Sequence, residues 1–90
     1  MGIRITLAPS FERYTNDADV VEVNGSTVGQ CLDNLVAQFP GIKKVLFDKE
    51  GKLLSYLEIY VNKENVYPEL LVNPVKDGDE LDIVVILAGG

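Results

Sequence analysis

Between two stretches with the period of β-strands lies one segment with the period of a helix, and this constrains the chain most. Val28, Cys31, Leu32, Leu35, Val36 and Phe39 follow an i, i+3, i+4, i+7, i+8, i+11 series, which places all six on one helical stripe. Thr27-Val28-Gly29-Gln30 has the Ser/Thr-x-x-Gln form of a capping box at the helix start, and Asn24-Gly25-Ser26 turns the chain into it. Pro40-Gly41 stops it, because proline removes a donor and disfavours helical geometry in the residue before it. A helix with one apolar stripe must bury that stripe, and the flanking segments supply a sheet to receive it. Ile3-Arg4-Ile5-Thr6-Leu7 alternates apolar and polar residues. Pro9 to Asp19 reads as a long connection to a second strand around Val20–Val23, pairing with the first as a hairpin.

After the helix, Ile42 to Phe47 is open between a short helical turn and irregular structure. Asp48-Lys49-Glu50-Gly51-Lys52 has turn chemistry, with Gly51 free to take positive φ. Tyr56 to Asn62 is the clearest strand, with Leu57, Ile59 and Val61 on one face and Tyr56, Glu58 and Tyr60 on the other. A turn at Asn62 to Asn65 and a short extended piece within Val66–Val72 lead to the turn Asp77-Gly78-Asp79 and a last strand, Glu80 to Leu87. In that strand Leu81, Ile83, Val85 and Leu87 are expected to face the helix. It is apolar on both faces over much of its length, which predicts that the first and last strands lie side by side in the middle of the sheet. The expected fold is α+β: a mixed sheet with one main helix packed across it, the β-grasp or ubiquitin-like arrangement.

Ninety residues with 47% hydrophobic content suit a single domain spanning 1–90, with 87–90 as a flexible reactive tail. A net charge of −6 argues against phosphate-backbone binding, so nucleic acid is not an expected partner. No apolar run approaches the length of a membrane span, and no secretory leader is apparent; a cytoplasmic location and no membrane partner are expected. There is no histidine, hence neither the commonest general base near neutral pH nor the commonest metal ligand. Cys31 sits within the apolar stripe and reads as core rather than nucleophile. Asp77, Asp79, Glu80 and Asp82 crowd one turn without the spacing of a calcium loop, and read as a solvated turn rather than a metal site. The myristoylation-like start at Met1-Gly2 falls in a predicted strand, and the sequon Asn24-Gly25-Ser26 serves as helix entry; neither is expected to be modified.

With side-chain chemistry so thin, the informative group is the Gly90 carboxylate. Gly89 and Gly90 remove the obstruction of a Cβ beside the carbonyl, and Ala88 keeps the preceding position small. Three or four extended residues reach roughly 10 to 14 Å, enough to thread a confined site. A carboxylate is a poor electrophile until activated, for example by adenylation. The chain has no phosphate-cradling glycine loop ahead of a helix, so it is expected to bind no cofactor, with ATP used by an activating partner.

Ile59-Tyr60-Val61-Asn62 with Lys63-Glu64-Asn65, then Lys76-Asp77-Gly78-Asp79-Glu80-Leu81, then Ala88-Gly89-Gly90 make the chain resemble the ubiquitin-like sulfur carriers. That family comprises the small subunit of molybdopterin synthase, the thiamine-pathway carrier and the related carrier of cysteine synthesis. The resemblance implies that an adenylating enzyme activates Gly90, that a sulfur donor converts the acyl adenylate to a thiocarboxylate, and that Leu87, Ala88 and Gly89 thread the partner's site. It makes the chain a protein cosubstrate rather than an enzyme. The segment from Gly41 to Ser55 makes the chain longer than the compact thiamine carriers, which favours molybdopterin-type or cysteine-type members; of these the expected destination is molybdopterin (molybdenum cofactor) synthesis, with a molybdopterin synthase large subunit as acceptor. The absence of proline from Val85-Ile86-Leu87 departs from many molybdopterin-type members. Cysteine or thiamine synthesis, lysine conjugation as a protein modifier, and a non-conjugating ubiquitin-like binding module are the alternatives. If the helix covers one sheet face, Val84 and Ile86 project from the other, and with Tyr56 and Tyr60 they form the expected docking patch for a partner enzyme.

Overall fold

A computed structural model describes residues 2–65 and 70–86. In chain order it contains β1 (Ile3–Leu7), a 3₁₀ helix (Pro9–Tyr14), β2 (Val20–Val23), α1 (Val28–Gln38), a 3₁₀ turn (Pro40–Ile42), α2 (Lys43–Leu46), β3 (Leu57–Val61), β4 (Glu64–Asn65) and β5 (Glu80–Val85). The five strands form one mixed sheet in the order β2-β1-β5-β3-β4. β1 and β5 are parallel neighbours in the middle, with Ile5 opposite Leu81 and Leu7 opposite Ile83. The other pairings are antiparallel. The mixed sheet with one main helix across it is the β-grasp architecture expected from the periodicities.

Burial follows the alternation. Ile3, Ile5 and Leu7, Val21 and Val23, Leu57, Ile59 and Val61, and Leu81 and Ile83 form the inner face and are all buried, as are Val28, Cys31, Leu32 and Leu35 of α1. Each such side chain contributes about 1.5–3 kcal/mol by leaving water. Val36, Phe39 and Val85 pack around this core while partly exposed. α1 begins where the sequence predicts: Thr27 Oγ1 accepts from Gln30 N at 3.1 Å. The returning glutamine bond goes to Ser26 N at 2.8 Å, one residue earlier than in the standard box. Two further open donors of the first turn, Val28 N and Gly29 N, are taken by the carbonyls of Asn73 and Leu71 at 3.0 and 2.9 Å.

The connecting segments hold most of the departures. Pro9 to Asp19 contains the 3₁₀ helix that inserts Phe11 into the core, and Thr15 is buried with its hydroxyl donating to Ala18 O at 2.8 Å. The ambiguous Ile42 to Phe47 resolves into α2, because Ile42 and Leu46 are one helical turn apart and both fully buried. Gly51 takes φ +85, and Asp48 Oδ1 accepts from Glu50 N and Lys52 N at 2.8 and 2.9 Å, so this turn closes as its composition predicts. The expected turn over Asn62 to Asn65 is tighter: Asn62 and Lys63 alone turn, both at positive φ, and Glu64–Asn65 already pairs back on β3. Residues 70–72 are a turn rather than an extended piece, and 66–69 lie outside the described residues. β5 ends at Val85, so Ile86 falls outside the expected strand although its N still donates to Tyr56 O at 2.7 Å, and Leu87 lies outside the described residues.

Candidate functional site

The expected reactive end, Leu87, Ala88, Gly89 and Gly90, lies outside the described residues. What the structure does place is the outer face of the sheet, which β5 carries as far as Ile86, the last described residue. Strand alternation puts Arg4 and Thr6 of β1, Val20 and Glu22 of β2, Glu58 and Tyr60 of β3, and Glu80, Asp82 and Val84 of β5 on this face, all of them exposed or half-buried. Ile86 continues the β5 series and is exposed.

The register sorts these side chains into rows. Glu22, Arg4 and Glu80 lie side by side at one end. Val20, Thr6, Asp82 and Tyr60 form the next row, since each is the cross-strand partner of its neighbour. Val84 is opposite Glu58 in the third, and Ile86 is held beside Tyr56 by the 2.7 Å backbone bond. Directly opposed residues in antiparallel pairs have Cβ atoms about 4.5–5.5 Å apart, so these rows are contact neighbours. The face therefore grades from charged to apolar along β5, its apolar end lying at Ile86, the last described residue. Tyr56 and Ile86 are 44% and 40% exposed, and as register neighbours they form an adjacent exposed apolar pair, whereas Val20, 42% exposed on the same face, stands among polar neighbours.

Of the four expected docking residues the structure thus brings Tyr56, Val84 and Ile86 together. Tyr60 stands one row away, joined to them through Glu58: its hydroxyl donates to Glu58 Oε1. That hydrogen bond, with the carboxylate's charge, raises the Tyr60 phenol above its ordinary value and keeps it a donor. Glu58 was not among the expected site residues. Its alternation with Leu57 and Ile59 already placed it on this face, and the register of β3 against β5 is what sets it opposite Val84. The charged end is braced by Arg4–Glu80 at 3.2 Å and Lys63–Asp82 at 3.3 Å. Such surface pairs contribute no more than about 1 kcal/mol each.

The other sequence candidates are structural. Cys31 is fully buried, and burial, with the nearby Asp79 charge, pushes its thiol above the usual value, so it is held as an unreactive thiol. Asp79 is not the solvated turn residue its surroundings suggest. It is buried, Oδ1 accepting from Asn62 Nδ2 at 3.1 Å and Oδ2 from Lys76 N at 2.9 Å, while Asn62 Oδ1 accepts from Glu80 N at 2.9 Å. These bonds, the Asn62 amide first, hold its carboxyl below the usual range and tie the β3–β4 turn to the start of β5. Among the described residues no group of three or more His, Cys, Asp or Glu side chains is arranged to hold a metal, and no helix is long and apolar enough to cross a membrane.

Comparison with known proteins agrees with this geometry. Residues 7–90 match the ThiS family. Sulfur carrier protein CysO of Mycobacterium tuberculosis (strain ATCC 25618 / H37Rv) is 31% identical over 93 residues, covering 100% of both chains. A chain in the crystal structure of the Amycolatopsis orientalis BexX/CysO complex superposes with a TM-score of 0.88 at 33% identity, over 99% of this chain and 100% of that one. SAMP1 from Haloferax volcanii superposes with a TM-score of 0.84 at 25% identity, over 98% of each chain. A five-stranded β-grasp sheet, a family match over nearly its whole length and end-to-end similarity to CysO together show that the chain belongs to the ThiS family of ubiquitin-like sulfur carrier proteins.

Proposed function

We propose that this carrier is activated at the Gly90 carboxylate by a separate adenylating enzyme that docks on the apolar end of the outer sheet face. The observation that carries this reading is Ile86, exposed, fixed beside Tyr56 and immediately preceding the residues that would enter the partner's site. In the first step a carboxylate oxygen of Gly90 attacks the α-phosphorus of ATP, pyrophosphate leaves, and an acyl adenylate forms. In the second a sulfide donor attacks the carbonyl carbon, AMP leaves, and the terminus becomes a thiocarboxylate whose sulfur is passed to an acceptor. This chain contributes a small, unobstructed terminus and the docking face; ATP and the catalytic groups come from the partner.

For the destination of the sulfur, relatives bearing the name CysO at 31–33% identity favour a cysteine-type carrier, one of the two types that chain length left open, over the molybdopterin destination expected from the resemblance. The BexX/CysO complex supports the view that a carrier of this shape works in complex with another protein. The decisive experiment is intact-mass measurement after incubation with ATP, sulfide and the adenylating enzyme of the same organism. The expected result is a gain equal to the replacement of one oxygen by sulfur, lost when Gly89 and Gly90 are deleted. An unchanged mass with an enzyme that adenylates another carrier overturns the proposal.

A further inference from the structure

The outer sheet face carries three carboxylates on the antiparallel pair β3 and β5, and the fold treats them differently. Glu80 is paired with Arg4 and Asp82 with Lys63. Glu58, beside the apolar end, has no ion pair with any described residue; its partner is the neutral Tyr60 hydroxyl. Lys52 lines the same groove along β3 as Glu58 but makes no ion pair with it. A carboxylate offers roughly four lone-pair sites, and Tyr60 uses one of them, leaving the rest to water in the free protein.

A partner that covers Val84, Ile86 and Tyr56 also covers Glu58, because Glu58 is the cross-strand partner of Val84. Stripping water from an ionised carboxylate costs several kcal/mol unless a cation and further donors replace it. We propose that Glu58 is a specificity-determining residue of the docking face, and that the activating enzyme sets a guanidinium or ammonium group against it while its apolar side chains cover Val84, Ile86 and Tyr56. This deepens, and rests on, the carrier reading above. The same carboxylate rejects partners that present an acidic or purely apolar surface, since the first adds like-charge repulsion and the second leaves a buried charge unpaired. A net charge of −6 acts in the same direction at long range, drawing in a basic surface before contact.

The test is ATP–pyrophosphate exchange by the adenylating enzyme of the same organism, with the carrier as varied substrate, at low and high salt. Glu58→Gln keeps the shape and removes the charge. It is expected to raise the carrier's KM by about 10- to 30-fold, leave kcat within about twofold, and flatten the salt dependence of kcat/KM. Asp33→Asn, the same change of charge on the exposed face of α1, is expected to leave all three unchanged, and circular dichroism melts establish that both variants fold. A Glu58→Gln KM equal to or below that of the wild type overturns the inference, showing that Glu58 docks solvated or protonated. Absence of exchange with the wild-type carrier overturns the carrier reading itself, and this inference with it.

Discussion

Asp79 shows how a single side chain can be misread from its neighbours. In sequence it is one of a run of acids around a glycine; in the fold it is the acceptor that joins the β3–β4 turn to the start of β5 through Asn62 Nδ2 and Lys76 N. No local pattern reveals this, because Asn62 and Asp79 are 17 residues apart and meet only when β3 pairs with β5. Asp79→Ala is expected to lower stability by about 2 kcal/mol in urea denaturation, since it removes the acceptor of two part-buried hydrogen bonds, from Asn62 Nδ2 and Lys76 N. The pH dependence has a definite sign. The folded carboxyl is depressed, so its contribution is complete above the ordinary carboxylate value of about 4 and is lost as the pH falls through the lower folded value. Stability measured against pH should therefore decline below about pH 4 more steeply in the wild type than in Asp79→Asn. Glu58 teaches the complementary lesson: its face was legible from alternation, but that no cation among the described residues pairs with it required knowing where Arg4 and Lys63 reach.

At the level of elements, strands and main helix were legible because each has an unbroken period and chemical punctuation. Ile3–Leu7, Val20–Val23 and Leu57–Val61 fall where alternation places them, and α1 starts at its cap. Segments with neither long period nor strong punctuation were not legible. The 3₁₀ helix at Pro9–Tyr14 owes its place to the burial of Phe11, and α2 to Ile42 and Leu46 closing the end of the core. These are tertiary causes that a single sequence does not display. The shared face of the four expected docking residues was legible because strand period assigns faces, whereas Tyr60's separation from the other three depends on register. Thr27→Ala tests the best-defined local signal: removing the side-chain acceptor at 3.1 Å from Gln30 N should lower stability by about 1 kcal/mol in thermal or urea unfolding. The effect stays modest because Asn73 and Leu71 still satisfy Val28 N and Gly29 N.

For the molecule as a whole, the two faces of one sheet are assigned to two tasks. The inner face holds the fold together and the outer face, acidic toward one end and apolar toward the other, is available to a partner. Ile86→Asp separates the tasks. It should leave the thermal midpoint nearly unchanged, because Ile86 lies beyond the buried series, while weakening association with the adenylating enzyme at least roughly tenfold by titration calorimetry. A large loss of stability would instead assign Ile86 to the core. Finally, the parallel pairing of β1 with β5 joins residues as far apart as Arg4 and Glu80. On a ribosome β1 emerges early and waits with one edge unpaired until β5 arrives, and β5 brings Asp82, Val84 and Ile86 with it. Closure of the sheet and creation of the proposed docking surface are thus the same event, so under that proposal an activating enzyme docking there also reads whether the chain has finished folding.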